Sequence, residues 1–199
     1  MHGLGADASD FCGIPSELGL PAGLHVRYVF PNAPRMPVTI NQGLIMRAWY
    51  DVAGFGARDQ DEQGIRRAAE WVGELIGREV ERGVAANRVV LAGFSQGGAM
   101  ALFAGLRYPA ALAGVMCLSG YLLLPAALEA EAADANRSVS IFQAHGTADP
   151  MVPLALGQGT RDGLEQAGYE VDYHEYPMPH SLCYEEVRDI GNWLAEVLD

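Results

Sequence analysis

Long apolar runs, paired cysteines and an excess of positive charge are all missing from this 199-residue chain. No run approaches the roughly 18 apolar residues of a membrane-spanning helix, and residues 1–7 lack the basic and apolar segments of a secretory signal. Thirteen basic and 25 acidic residues give a net charge of −12, which disfavours nucleic acid as a partner. We therefore expect a cytoplasmic protein with no membrane span and no nucleic-acid partner.

Cysteine is scarce, with Cys12, Cys117 and Cys183 as its three occurrences. They are too few and too widely spaced for a disulfide framework or a zinc site. Cys117 lies in an apolar run and is expected to be a small buried residue. Cys183 follows His180 by three residues, so a cysteine thiolate remains an alternative nucleophile.

Internal repeats and linkers are also absent, and residues 1–199 are expected to form a single domain. Short apolar runs alternate with longer amphipathic ones, which is typical of an α/β fold with a mostly parallel sheet and helices on both faces. The predicted strands are residues 24–30, 88–92, 113–118, 139–144 and 170–176. The predicted helices are residues 61–80 capped by Asp61, 96–108, 124–135, 154–167 with Pro153 at its start, and 181–198 capped by Ser181.

Residues 31–60 fit neither the helical nor the strand period. Prolines at positions 31, 34 and 37 argue against regular structure there, because proline lacks a backbone donor and restricts the residue before it. A long irregular stretch in a compact domain is often a functional loop.

The segment Gly-Phe-Ser-Gln-Gly-Gly at residues 93–98 matches the nucleophile-elbow pattern Gly-x-Ser-x-Gly. It follows an apolar strand and opens a helix of small residues. Glycines let the strand and helix approach closely, and a helix N-terminus favours developing negative charge. The pattern predicts Ser95 as a nucleophile, and the alternative is a glycine-rich turn without chemistry.

A serine hydroxyl needs a base to become a good nucleophile. His180 lies after the last predicted strand, at the sheet edge where ligand sites of parallel sheets gather, although a structural histidine is the alternative. Asp149 follows the strand before it and can accept the imidazole Nδ1–H, whereas its rivals Asp162 and Glu175 lie inside a predicted helix and strand. The chain order serine, aspartate, histidine is that of α/β-hydrolases.

The tetrahedral intermediate of acyl transfer needs two hydrogen-bond donors. One is the backbone N–H of Gln96, directly after the nucleophile. The other is expected from Leu4, because the flanking glycines of His-Gly-Leu-Gly at residues 2–5 let its N–H turn toward the anion. The alternative is an ordinary glycine turn at a frayed terminus.

Together these segments resemble the carboxylesterase, lysophospholipase and acyl-protein thioesterase group of α/β-hydrolases. The resemblance covers nearly the whole chain and implies the α/β-hydrolase fold, the triad Ser95, Asp149 and His180, and an oxyanion hole from Leu4 and Gln96. The segments that carry it are HGLG at 2–5, PNAP at 31–34, PVTIN at 37–41, MRAWYD at 46–51, GFSQGGAM at 93–100, LSGY at 118–121, HGTADPMVP at 145–153 and PMPHS at 177–181.

The resemblance also implies hydrolysis of carboxylic esters, lysophospholipids or fatty-acyl thioesters, without a metal or organic cofactor, by a monomer or homodimer. A hydrolase-fold protein without catalysis is the alternative. Residues 38–51 resemble the loop that shapes an acyl groove. The apolar candidates to line that groove, which are equally candidates for the core, are Met46, Trp49, Leu122, Leu123 and Met151.

One departure concerns the start of the chain. In the family a buried strand runs directly into the His-Gly-Leu-Gly turn, beside the nucleophile strand, whereas here Met1 precedes His2. Buried backbone groups left without that strand would cost ~1–3 kcal/mol each, which is large against a total stability of ~5–15 kcal/mol. We therefore expect the N-terminal strands to be missing from a sequence that begins late.

Overall fold

The computed structural model describes residues 1–55 and 60–199, and it contains a small hairpin and a larger parallel sheet. The strands are β1 (Arg35–Val38), β2 (Leu44–Arg47), β3 (Val90–Phe94), β4 (Gly114–Leu118), β5 (Ser140–Gly146) and β6 (Val171–Tyr176). The helices are α1 (Ile14–Glu17), α2 (Glu62–Glu81), α3 (Gln96–Arg107), α4 (Leu128–Glu131), α5 (Leu154–Gln166) and α6 (Tyr184–Val197). Strands β3, β4, β5 and β6 pair in that order, all parallel, and β1 pairs antiparallel with β2.

Both faces of the parallel sheet are covered. In β4, Val115 and Cys117 pack into the core that contains α2 and α3, while Met116 and Leu118 pack on the opposite face with α6. Alternate side chains of a strand point to opposite faces, so a strand covered on both sides is apolar throughout. The predicted α/β class, with a parallel sheet and helices on both faces, is confirmed.

Helix α2 shows how local sequence sets an element. Asp61 is its N-cap, and the carboxylate accepts a hydrogen bond from the Gly64 N–H at 2.9 Å, which satisfies one of the unpaired donors of the first turn. Ile65, Val72 and Ile76 then recur at helical spacing and are buried, as in an amphipathic helix. The predictions of this helix and its cap are confirmed, as are α3 and α5 to within one residue of their ends.

Three other predictions were wrong. Residues 24–30 form no strand; their side chains alternate between half-buried and exposed, but the backbone has no strand partner in the described part of the chain. The helix predicted for 124–135 is reduced to α4, because Leu124 adopts a left-handed conformation with φ 44° and Ala132 is extended. Ser181 does not cap the last helix, which begins three residues later after Cys183, without a side-chain cap.

The irregular structure expected around the prolines is only partly present. Strand β1 contains Pro37, which lies opposite Ile45 of β2. A proline is tolerated here because a two-stranded hairpin has an outer edge on each strand where a missing N–H costs nothing. Residues 56–59 of the segment predicted to be irregular lie outside the described residues.

Met1 is hydrogen-bonded to the edge of β3. The Met1 amine donates to Ala92 O at 2.6 Å, and Phe94 N–H donates to Met1 O at 3.0 Å, which is the bonding pattern of parallel strands. A mostly apolar cavity of about 630 Å³ lies beside this edge. Among the helices of the described ranges, none has the length and apolar character to cross a membrane.

Candidate active site

Ser95 is the single residue between β3 and α3. Its backbone has φ 55° and ψ −120°, outside the regions that a residue with a side chain adopts without strain. The turn is held by a hydrogen bond from Ser95 N–H to Leu118 O at 2.7 Å. A Cβ atom on Gly93 would collide with the carbonyl group of Gly97, so this tight turn requires glycine there. The hydroxyl is therefore presented at the N-terminus of α3, as the motif predicts.

Asp149 and His180 are brought together by the loops after β5 and β6. His180 Nδ1 lies 2.6 Å from Asp149 Oδ2, and the aspartate side chain is completely buried. Its other oxygen accepts the backbone N–H groups of Met151 and Val152 at 2.8 and 2.9 Å. Because an ionised carboxylate can only accept, Nδ1 carries the proton, and Nε2 is left as the acceptor that a general base needs.

The imidazole of His180 also lies against the elbow. Its ring centroid is 4.7 Å from that of Phe94, the residue before Ser95. In the part of the chain that the structure describes, no hydrogen bond joins the Ser95 hydroxyl to His180. Such contacts are often loose in a free enzyme and tighten when substrate binds. The structure thus brings the aspartate and histidine into contact and places the histidine next to the turn that contains Ser95.

The predicted oxyanion turn packs directly on the elbow. A Cβ atom on Gly3 would lie 3.3 Å from Ser95 Cβ, and one on Gly97 would collide with the backbone oxygens of Met1 and His2. Glycine at these positions is what allows the two backbones to approach so closely. The turn that contains Leu4 is therefore a neighbour of Ser95, as the sequence predicts.

The ring of His2 holds the turn that contains Leu4 through two hydrogen bonds. It is 1% exposed; its Nδ1 lies 2.8 Å from Gly3 O, and its Nε2 accepts the Ala33 N–H at 3.0 Å. Desolvation is the main cause that lowers the pKa of His2 below its ordinary value. The ring therefore stays neutral near pH 7 and keeps both bonds, since a protonated Nε2 could not accept.

The five candidates for the acyl groove divide into two groups. Met46 is half-buried beside Gly5, Leu122 is half-buried against α5, and Met151 is 61% exposed. Trp49 and Leu123 are 3% and 0% exposed and belong to the core, so neither offers its side chain to a groove. The sequence could not separate these groups, because an apolar residue suits a groove and a core equally well.

His145 lies beside the aspartate and is not among the predicted site residues. It is fully buried, with Nε2 at 2.9 Å from Val152 O and 3.6 Å from Asp149 Oδ2. The ring lies against Gly157 of α5, where a Cβ atom would meet Nδ1 at 2.5 Å. Its position four residues before Asp149 in the segment HGTAD is the signal that could have indicated it.

Cys117 and Cys183 are poorly suited to act as nucleophiles. Burial raises the pKa of Cys117 to about 12, and desolvation is the main cause that raises the pKa of Cys183. Both therefore remain thiols near neutral pH, whereas the reactive species is the thiolate. This disfavours the cysteine alternative.

Comparison with known proteins gives one consistent family. Residues 1–198 match the family described as Phospholipase/Carboxylesterase. The chain is 39% identical to acyl-protein thioesterase 1 of Neurospora crassa, in an alignment that covers 100% of this chain and 85% of that protein.

Solved structures show the same fold. Arabidopsis thaliana SOBER1 superposes with a TM-score of 0.93 at 31% identity, covering 100% of this chain and 96% of that one. Acyl-protein thioesterase 2 of Zea mays superposes with a TM-score of 0.87 at 27% identity, covering 100% of this chain and 91% of that one.

Proposed function

The chain belongs to the phospholipase/carboxylesterase family of α/β-hydrolases, and we propose that it hydrolyses carboxylic esters through an acyl-enzyme on Ser95. One observation carries the proposal: the buried Asp149 carboxylate holds His180 Nδ1 at 2.6 Å, while the ring of His180 lies against the residue before Ser95. A buried carboxylate that fixes a histidine beside a strained serine is the arrangement that acyl transfer needs.

The reaction has two halves. As the Ser95 oxygen attacks the carbonyl carbon, Nε2 of His180 takes the hydroxyl proton, and Asp149 stabilises the imidazolium that forms. The carbonyl oxygen becomes an anion and is held by the N–H groups of Leu4 and Gln96. The imidazolium then gives its proton to the leaving alcohol, and water repeats the sequence to release the acid.

The acyl chain of the substrate is proposed to lie on apolar side chains near the elbow. Met46, Leu122 and Met151 are the candidates that remain outside the core. Apolar side chains would bind the hydrocarbon and leave the carbonyl at Ser95, which favours esters with an extended acyl group over acetate.

A second candidate function is hydrolysis of fatty-acyl thioesters on proteins. It is supported by the 39% identity to a protein named acyl-protein thioesterase 1. The chemistry is the same, and only the leaving group changes from an alcohol to a thiol. Lysophospholipids are a third class of ester that the same apolar groove would accept.

The test combines covalent labelling with a substrate panel. A fluorophosphonate probe should label the wild type, and Ser95→Ala should abolish both labelling and turnover, whereas Ser9→Ala on the exposed surface should change neither. Rates on p-nitrophenyl esters from acetate to palmitate, compared with an S-palmitoyl peptide, would separate esterase from thioesterase. A folded wild type that is neither labelled nor active would support the non-catalytic alternative. Loss of activity on thiol alkylation would support the cysteine alternative.

A further inference from the structure

Trp49 makes hydrogen bonds to both halves of the proposed oxyanion hole. Its backbone N–H donates to Gln96 Oε1 at 3.0 Å, and its indole Nε1–H donates to His2 O at 2.8 Å. Both bonds are buried. We propose that Trp49 is a positioning residue that fixes the distance between the two oxyanion donors, the N–H groups of Gln96 and Leu4. This inference rests on the proposed function of the same site.

On the elbow side, the bond to Trp49 is one of a pair. The Gln96 side chain is 2% exposed; it accepts from Trp49 N–H and also donates from Nε2 to Tyr50 O at 2.8 Å. The amide therefore pairs with the backbone of two consecutive residues. Gln96 is also the first residue of α3, where the backbone N–H has no partner within the helix. The paired side chain holds that free N–H in one orientation.

On the other side, the segment 47–49 brackets Leu4. The Trp49 indole holds His2 O, and Arg47 O accepts the Gly5 N–H at 2.8 Å. Glycines flank Leu4 on both sides and add little stiffness of their own. One short segment thus holds the peptide groups on both sides of the Gly3–Leu4 peptide, while His2 Nδ1 and the Ala6 N–H bond to Gly3 O of that peptide itself. The bonds from segment 47–49 fix where this turn lies relative to the elbow.

The arrangement matters because oxyanion donors must converge. Each must lie about 2.7–3.1 Å from the position of the anionic oxygen, and they are effective only if they are already in place. A displacement of about 1 Å can cost on the order of 100-fold in rate. Trp49 is 3% exposed and does not reach the substrate. Its loss should therefore weaken binding of the transition state and leave ground-state binding unchanged.

The test removes one bond and keeps the ring packing. Trp49→Phe deletes the indole N–H but retains the backbone bond to Gln96 and the tilted ring contact with Trp71, whose ring centroid is 5.4 Å away. The matched control is Trp71→Phe, which alters the same ring contact without touching either donor. The measurements are kcat and KM for one p-nitrophenyl ester and the Ki of a trifluoromethyl ketone, which forms an anionic tetrahedral adduct with the serine.

Trp49→Phe should lower kcat and the ketone affinity by the same factor, about 10- to 100-fold, with KM within about twofold. Trp71→Phe should change both by less than about threefold. Equal small effects in the two variants would overturn the inference, as would a rise in KM with kcat unchanged.

A second variant keeps the inference testable if Trp49→Phe fails to fold, which thermal unfolding would reveal. Gln96→Met has a similar volume and keeps its own backbone N–H, but it loses both side-chain bonds. It should lower kcat and ketone affinity together. If the wild type is not labelled by a fluorophosphonate at Ser95, the proposed function itself fails. If the wild type is labelled and active but both variants match the control, only the role of Trp49 fails.

Discussion

Replacing Asp149 by asparagine tests the proposed triad with a change of one atom. The carboxylate makes three hydrogen bonds, two on Oδ1 from the N–H groups of Met151 and Val152 and one on Oδ2 from His180. In Asp149→Asn the amide oxygen should stay at the Oδ1 position. The opposite orientation would point an NH₂ group at two N–H donors, one part-buried and one buried, and a lost partner costs ~1–3 kcal/mol where the donor is buried.

The amide NH₂ then occupies the place of Oδ2 and donates to His180 Nδ1. The imidazole proton moves to Nε2, the nitrogen that must accept from Ser95, so the base is in the wrong tautomer. The equivalent loss in serine proteases is about 10⁴-fold, or roughly 5 kcal/mol of barrier at 1.36 kcal/mol per tenfold change. We expect kcat/KM on a p-nitrophenyl ester to fall by about this factor, and the rate of fluorophosphonate labelling to fall with it.

The matched control is Asp162→Asn, on an exposed aspartate that pairs with Arg161 on the surface of α5. It removes the same charge and should keep activity within about twofold, because exposed ion pairs contribute ~0–1 kcal/mol. Circular dichroism and thermal unfolding would show that both variants are folded. A folded Asp149→Asn protein that loses less than tenfold in kcat/KM would refute the assignment of this residue.

Two further predictions concern a buried carboxyl and a glycine. Burial raises the pKa of Glu186 from 4.5 to about 8, so its contribution to stability is present below pH 4.5 and lost as pH rises through 8. Between pH 4.5 and 8, the unfolding free energy of Glu186→Gln minus that of wild type, measured by urea titration, should therefore rise by about 1.4 kcal/mol per pH unit. For the control Glu185→Gln, at an exposed position, this difference should not depend on pH. A difference independent of pH for Glu186→Gln would contradict the prediction. Gly97→Ala should displace the first residues from the elbow and lower activity at least tenfold. By contrast, Gly159→Ala, where a Cβ atom meets nothing within 4 Å, should be active and more stable by ~0.5–1 kcal/mol.

The sequence by itself determined the class of the fold and the residues of the proposed chemistry. Apolar strands alternating with amphipathic helices predict a sheet covered on both faces, and Asp61 marks the start of α2 because capping depends on neighbours within one turn. The elbow motif predicts the position of Ser95 for the same reason, because its strand, sharp turn and helix are adjacent in sequence. The ends of parallel strands meet at one edge, so the positions of Asp149 and His180 after two such strands predict that they lie at the same edge of the sheet.

Only the tertiary structure decided which apolar side chains are buried in the core and which polar groups form long-range hydrogen bonds. Nothing local separates Trp49 in the core from Met46 near the surface, or reveals that the indole of Trp49 bonds to His2, 47 residues away. Residues 24–30 have the alternation of a strand but pair with no strand among residues 1–55 and 60–199, and pairing is a property of the sheet, not of one segment. Local preferences fix caps and turns because their partners are adjacent in sequence, whereas burial and long-range hydrogen bonds depend on partners that only folding brings together.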